Sequence, residues 1–203
     1  MANLRSKISQ DLHDEVGATL SGIAMYSYIT KEHVRNQENE LVNNSLDIIK
    51  DNAGEMVAKL NDIVWAVNPV LDNTHQLAER LKDFALQHTA AKKIRLSFVA
   101  DDGLAMQKFN MERRKNIYLI CKEAINNAVK YSECTELNIQ MQVLHKHVYI
   151  IIADNGKGLL LDTAGKGNGL INMATRPAEI NAKLEINGPK GSGTTVSLSC
   201  KIT

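Results

Sequence analysis

Aromatic side chains, proline, cysteine and net charge are all in short supply in this sequence of 203 residues. Phe, Trp and Tyr together make up 4% of it, so a core must rest on aliphatic side chains, which leans towards helix-rich packing. Lys and Arg number 24 against 23 Asp and Glu, a formal net charge of +1. That removes the overall bias that marks nucleic-acid binders and membrane-surface proteins. The three cysteines, Cys121, Cys134 and Cys200, are scattered, fit no metal spacing and read as free thiols of a reducing compartment. No apolar run approaches the ~18 residues of a membrane span, and the N-terminus lacks the apolar centre of a signal peptide. The expectation is a cytoplasmic chain with no membrane contact and no direct nucleic-acid binding. Its start at Met1-Ala2-Asn3 runs straight into a helical pattern with no cap, which is compatible with the cytoplasmic piece of a longer, membrane-anchored protein.

What is present is 44% apolar residues, enough for a core and, at roughly 100–200 residues per domain, for one or two domains. No proline stands before Pro69. Residues 4–35 read as one helix, with Ile8, Leu12, Val16, Thr19, Ile23 and Tyr26 at helical spacing. After the polar break Asn36-Gln37-Glu38-Asn39, a second helix runs from Glu40 to Val67. Val42, Leu46, Ile49, Ala53, Met56, Leu60, Ile63 and Val67 step along it as a heptad seam, and Val57 and Val64 widen the stripe. A stripe that wide suits a four-helix bundle, and one chain supplies two helices, so a homodimer is expected. Asn68-Pro69 ends the second helix, and Asn68 to Thr74 reads as a linker. Beyond it come helical patterns at 75–91 and 111–131, strands at 94–99, 135–144, 148–153, 183–187 and 194–201, and a glycine-rich segment at 156–169 followed by a helix. Runs of helix and antiparallel-looking strand suggest an α+β sandwich. The domains are therefore expected at 1–69 and 70–203.

Four segments of the second half fit one phosphate-binding task. In Glu123-Ala-Ile-Asn126-Asn127-Ala128-Val129-Lys130-Tyr131, the residues Glu123, Asn127 and Lys130 share a helix face. Acid, amide and cation together suit a metal triphosphate, because Mg²⁺ takes oxygen ligands and lysine neutralises phosphate. Asp154-Asn155-Gly156-Lys157-Gly158 follows an apolar strand; the aspartate can accept a hydrogen bond from an exocyclic amine, and Gly156 and Gly158 allow a tight turn. Gly165-Lys166-Gly167-Asn168-Gly169 opens a helix whose first amides can cradle phosphate. Gly191-Ser192-Gly193-Thr194 makes a glycine turn before the last strand. Each is weak alone, and the set is neither a Walker loop nor a Rossmann fingerprint. In this order the four resemble the N, G1, G2 and G3 boxes of the GHKL ATPase superfamily, over about residues 75–203. The resemblance implies a Bergerat-type ATP-binding sandwich with ATP and Mg²⁺ as cofactors. By it Asn127 would ligand Mg²⁺, Glu123 would polarise the attacking group or a metal-bound water, and Lys130 would touch phosphate. Tyr131 would pack near the nucleotide, and Asp154 would read the adenine amine. Gly156, Gly158, Gly165, Gly167, Gly169 and Thr194 would line the site, with a short lid between Gly158 and Gly167.

Of six histidines, five (His33, His75, His88, His145 and His147) sit in ordinary polar settings. His13 lies at the flank of the apolar stripe, and Asp14 beside it can raise its basicity and set its tautomer. Gly17, one turn on, removes bulk at a cost of roughly 1 kcal/mol of helix propensity. Room for a reactive imidazole and a close helix contact explain it equally well. Leu12-His13-Asp14-Glu15-Val16-Gly17 resembles the H-box of the HisKA_3 class of histidine kinases, and Asp62 to Pro69 resembles the end of their second helix. The resemblance, now covering nearly the whole chain, implies a multi-domain core in which an all-α helical hairpin precedes the ATP-binding sandwich. His13 Nε2 would attack the γ-phosphate of ATP with Asp14 as base or orienting group. The phosphoryl group would pass to an aspartate on a response regulator, which in this class often carries a helix-turn-helix output domain. Ala18 stands where many relatives carry a glutamine that supports phosphatase activity, so that activity is expected to be weak or absent. Pro177 stands where alanine is usual and should kink or end its helix near Thr175. A GHKL ATPase driving a conformational cycle and a non-catalytic scaffold derived from a kinase are the competing readings.

Overall fold

The structure is a computed structural model. It describes residues 2–67, 74–158 and 168–202, with the backbone alone for residues 2–15, 66–67 and 168–172. The chain divides into two compact units, Met1–Val67 and Asn68–Thr203. The expected linker lies outside the described residues, apart from Thr74, which opens a helix.

The first unit is a hairpin of α1 (Ala2–Arg35) and α2 (Asn39–Val67). The turn between them closes α1 with a Schellman arrangement. Gln37 adopts a left-handed φ of 61°, its amide donates to Val34 O at 3.2 Å, and the Glu38 amide donates to His33 O at 2.9 Å. The Glu38 carbonyl then accepts the first ladder bond of α2, from Val42 N. Where a side chain on Gly22 would sit, the Asn52 amide lies 3.8 Å away, which sets residue 22 opposite residue 52.

The heptad seam expected along α2 divides in the structure. Ser45 is buried and Val42, Ile49, Met56 and Ile63 are half-buried, whereas Leu46 is 50% exposed, as are Val57 at 58% and Val64 at 65%. One partner helix covers only one flank of a stripe this wide. Leu20, Met25 and Tyr28 of α1 are exposed too. Among the described residues no helix is long and apolar enough to cross a membrane.

The second unit layers three helices, α3 (Thr74–Lys92), α4 (Met111–Tyr131) and α5 (Asn168–Glu179), with a five-stranded sheet. The strands are β1 (Arg95–Ala100), β2 (Glu136–Leu144), β3 (His147–Asp154), β4 (Ala182–Asn187) and β5 (Thr194–Lys201), in the order β1-β2-β3-β5-β4. Alternation builds the sheet's two faces. Leu137, Ile139 and Met141 are buried while Asn138, Gln140 and Gln142 are exposed. Leu77, Leu81, Ile117, Ile120 and Ile125 of the helices are fully buried as well, each full burial contributing about 1.5–3 kcal/mol.

Three features depart from the sequence reading. β1 pairs with β2 in parallel, not antiparallel, because the chain between them crosses back through α4. A short 3-10 helix at Asp102–Met106 lies in that crossover, with Asp101 capping it by accepting from Gly103 N at 2.7 Å. Pro177 does not end its helix near Thr175: α5 continues to Glu179, with Pro177 inside it. In the last turn proline removes a single ladder bond, and its fixed φ is already helical.

Candidate active site

Helix α4 carries the first group. Asn110 caps its start, its side chain accepting from Arg113 N at 2.9 Å. Ile117, Cys121, Ala124, Ile125 and Ala128 form the buried face. Glu123 and Asn127 are half-buried on its flank, Lys130 is exposed one turn on, and Tyr131 at the C-terminus is 65% exposed. These groups therefore border solvent along one flank while the opposite side anchors the helix. Burial pushes the Cys121 thiol on the anchoring side up to about 12, which makes it a packing group.

The C-terminus of α4 is tied off by Ser132, which is buried. Its hydroxyl donates to Ala128 O at 2.7 Å and accepts from Cys134 N at 3.2 Å. Its carbonyl accepts from Lys157 N at 2.8 Å. A side chain on Gly156 would collide with the Ser132 carbonyl and lie 2.7 Å from its Cβ, so only glycine fits. The loop after β3 is thereby pressed against the end of α4. Lys157 also pairs with Glu133 at 2.6 Å.

Asp154 ends β3, in register with Leu137 of β2 and Thr194 of β5. Its Oδ1 accepts from Gly156 N at 2.8 Å; among the described residues Oδ2 has no partner. On the other side lies the Gly188–Gly193 turn. Gly193 N donates to Gly156 O at 2.8 Å and Gly191 N to Lys157 O at 2.7 Å. Gly158 (φ 77°) and Gly193 (φ 73°) are left-handed, and a Cβ on either would run into backbone, of Pro189 and of Asp154 respectively. The two glycine loops and the end of α4 form one interlocked wall. Beside it, burial pushes the Cys134 thiol up, and the Asp154 charge adds to that shift.

The structure thus brings Asp154, Gly156, Gly158 and Thr194 together with the end of α4 that bears Lys130 and Tyr131, with Asn127 and Glu123 behind them on the same helix. Gly165 and Gly167 lie outside the described residues. Gly169 lies in the first turn of α5, where backbone amides have no ladder partner. His13 and Asp14 lie on α1 in the other unit, described by backbone only. A side chain on Gly17 would meet nothing within 4 Å, so no close contact among the described residues explains that glycine. Among the described residues no three His, Cys, Asp or Glu side chains could share a metal. Glu123 and Asn127 present one carboxylate and one amide, half-buried on the flank of α4. Sequence reading passed over Ser132 and Asn155, the hubs of this wall. Their only visible signal was their place beside Tyr131 and Asp154.

A histidine kinase family model matches residues 5–72, and a model of histidine kinase-, DNA gyrase B- and HSP90-like ATPases matches residues 112–203. Between them they span most of the chain, in this order. The chain belongs to the histidine kinases. Relatives of this histidine kinase core include the sensor histidine kinase LiaS of Bacillus subtilis, 24% identical over 98% of this chain and 54% of its own length. The sensor histidine kinase DesK of the same organism is 24% identical over 96% of this chain and 50% of its own length. The chain thus spans about half the length of these relatives. Among solved structures, full-length ShkA in complex with AMPPNP superposes with a TM-score of 0.63 at 15% identity, over 98% of this chain and 46% of that one. The Acinetobacter baumannii histidine kinase AdeS follows at 0.58 and 14% identity, over 88% of this chain and 95% of its own.

Proposed function

We propose that this chain is the ATP-dependent autokinase core of a two-component system, which phosphorylates His13 and passes the phosphoryl group to a response-regulator aspartate. The observation that carries the nucleotide reading is Asp154. One of its oxygens is held by the Gly156 amide and the other is left for an exocyclic amine, in a wall of glycine loops too tight for a side chain at Gly156, Gly158 or Gly193. Kinship with histidine kinases supports a phospho-accepting histidine in this chain, which this reading takes to be His13.

In this reading Asp154 selects adenine, and the open amides at the start of α5, with Lys130, hold phosphates. Gly165 and Gly167 belong to the lid. Thr194 and Tyr131 flank the base. Glu123 and Asn127 would hold Mg²⁺, which when bound neutralises charge on the triphosphate. The lone pair of His13 Nε2 forms the bond to the γ-phosphorus as the bond to the bridging oxygen breaks and ADP leaves. Asp14 orients the imidazole and stabilises its positive charge. The exposed flank of the hairpin, with Leu46, Val57 and Val64, is the face that a second copy covers. Ala18 makes phosphatase activity weak, and the chain works in the cytoplasm beside a regulator with a helix-turn-helix output domain. Incubation with γ-labelled ATP tests the reading: label should enter the protein only with Mg²⁺ present, and not in an Asn127→Ala chain. Labelling that survives in that variant, or that needs no divalent ion, would overturn it.

A further inference from the structure

Asp154 can read a base only if its free oxygen points the right way, and its own side chain does not settle that. Its Oδ1 is committed to the Gly156 amide at 2.8 Å, so the orientation of the carboxylate follows the position of the loop. Backbone contacts hold the far end of that loop, through Lys157 N to Ser132 O and Gly193 N to Gly156 O. At its near end one side chain is engaged. Asn155 Oδ1 accepts from Thr135 N and from Glu136 N, each at 2.9 Å. Its Nδ2 donates to Thr135 Oγ1 at 2.9 Å. The Asn155 amide adds a bond to Glu136 O at 3.3 Å. These anchors open β2, whose Leu137 is in register with Asp154.

Asn155 is exposed, so it fills no core, and water could satisfy every group it touches. Such a side chain gains little stability from three internal bonds. What the bonds supply is geometry, since they pin the residue between the base-reading aspartate and its holding glycine to the neighbouring strand. We propose that Asn155 is a positioning residue for base recognition, aiming the Asp154 carboxylate at the exocyclic amine of adenine. The inference rests on the adenine reading given above.

The test compares Mg²⁺-dependent binding of ATP and of ITP, whose base lacks that amine, by displacement of a fluorescent nucleotide from the full chain. A site built around a buried donor–acceptor pair rejects the analogue lacking it, so the wild-type chain should prefer ATP by about tenfold or more. Asn155→Ala should bring the two affinities to within about threefold of each other, through weaker ATP binding. Asn155→Asp, which keeps the acceptors for both amides and can take the Thr135 hydroxyl, should retain the preference. Partial unfolding scales both affinities alike, so the ratio reports aim and not stability. An Asn155→Ala chain that keeps the wild-type ratio overturns the inference, and if Asp154→Asn collapses the ratio in the same experiment the adenine reading stands without it. A wild-type chain that does not distinguish ATP from ITP overturns both.

Discussion

Replacing Gly193 by alanine should damage the nucleotide wall far more than the same change at Gly191, two residues earlier. Both glycines are left-handed, at φ 73° and 80°, and an L-residue there costs roughly 1–2 kcal/mol. Among the described residues nothing lies within 4 Å of a side chain on Gly191, so its cost ends there. On Gly193 a Cβ would run into the Asp154 carbonyl oxygen, 2.9 Å from its carbon and 3.0 Å from Asn155 Cα. All three are backbone atoms at a strand end, and none can swing aside as a side-chain tip could. Relief requires the start of β5 to move off β3, which breaks the 2.8 Å bond from Gly193 N to Gly156 O, a further ~0.5–1.5 kcal/mol. With the residual overlap, Gly193→Ala should cost about 3 kcal/mol or more against about 1–2 for Gly191→Ala. In a unit of this size that separates their melting temperatures by ~5 °C or more. Circular dichroism melting measures the separation, and ATP titration should show weakened binding in Gly193→Ala alone. Two variants that melt together and bind ATP alike would refute the close packing of the two glycine loops.

Charge on the exposed flank of the hairpin, as in Val57→Glu with Val64→Glu, should convert a dimer to monomers in sedimentation while leaving helix content unchanged; a wild-type monomer would contradict the bundle. Ala18→Gln should increase dephosphorylation of the phosphorylated regulator several-fold, since residue 18 is exposed on α1 one and a half turns beyond His13; no gain would mean that the missing amide is not what limits that activity. The Cys121 thiol, pushed by burial to about 12, stays protonated in the folded chain at pH values where the unfolded chain ionises. Its contribution is therefore complete below the ordinary thiol value and is lost as pH rises from there to about 12. A Cys121→Ala chain should lose less stability than wild type over that window in denaturant titrations, and equal losses would contradict it.

The helices were legible because their apolar residues repeat at a helical period over several turns, and the strands because Leu137, Ile139 and Met141 alternate with amides. Periodicity says which face is apolar but not what covers it. Leu46 therefore looked like Ile49 in the sequence, although α1 reaches only the latter's flank. The parallel pairing of β1 was hidden because pairing direction depends on where α4 returns the chain, not on the residues of β1. Of the two effects expected of Pro177, the ending near Thr175 does not occur, because only two residues of helix remain beyond it. The candidate site showed in the sequence as glycines and carboxylates in order along the chain. Ser132 and Asn155 were not, because what they hold is set by tertiary packing: Asn155 takes its partners 19 and 20 residues away, and no local pattern announces that.

The most direct measurement is to incubate the chain and a His13→Gln variant with γ-labelled ATP and Mg²⁺, then treat the labelled protein with acid and with alkali. Label on the wild-type chain alone, lost in acid and stable in alkali, is the predicted result and identifies a phosphohistidine at His13. Label of the same chemistry on the His13→Gln chain, or ATP hydrolysis in both with neither protein labelled, would contradict an autokinase acting on His13.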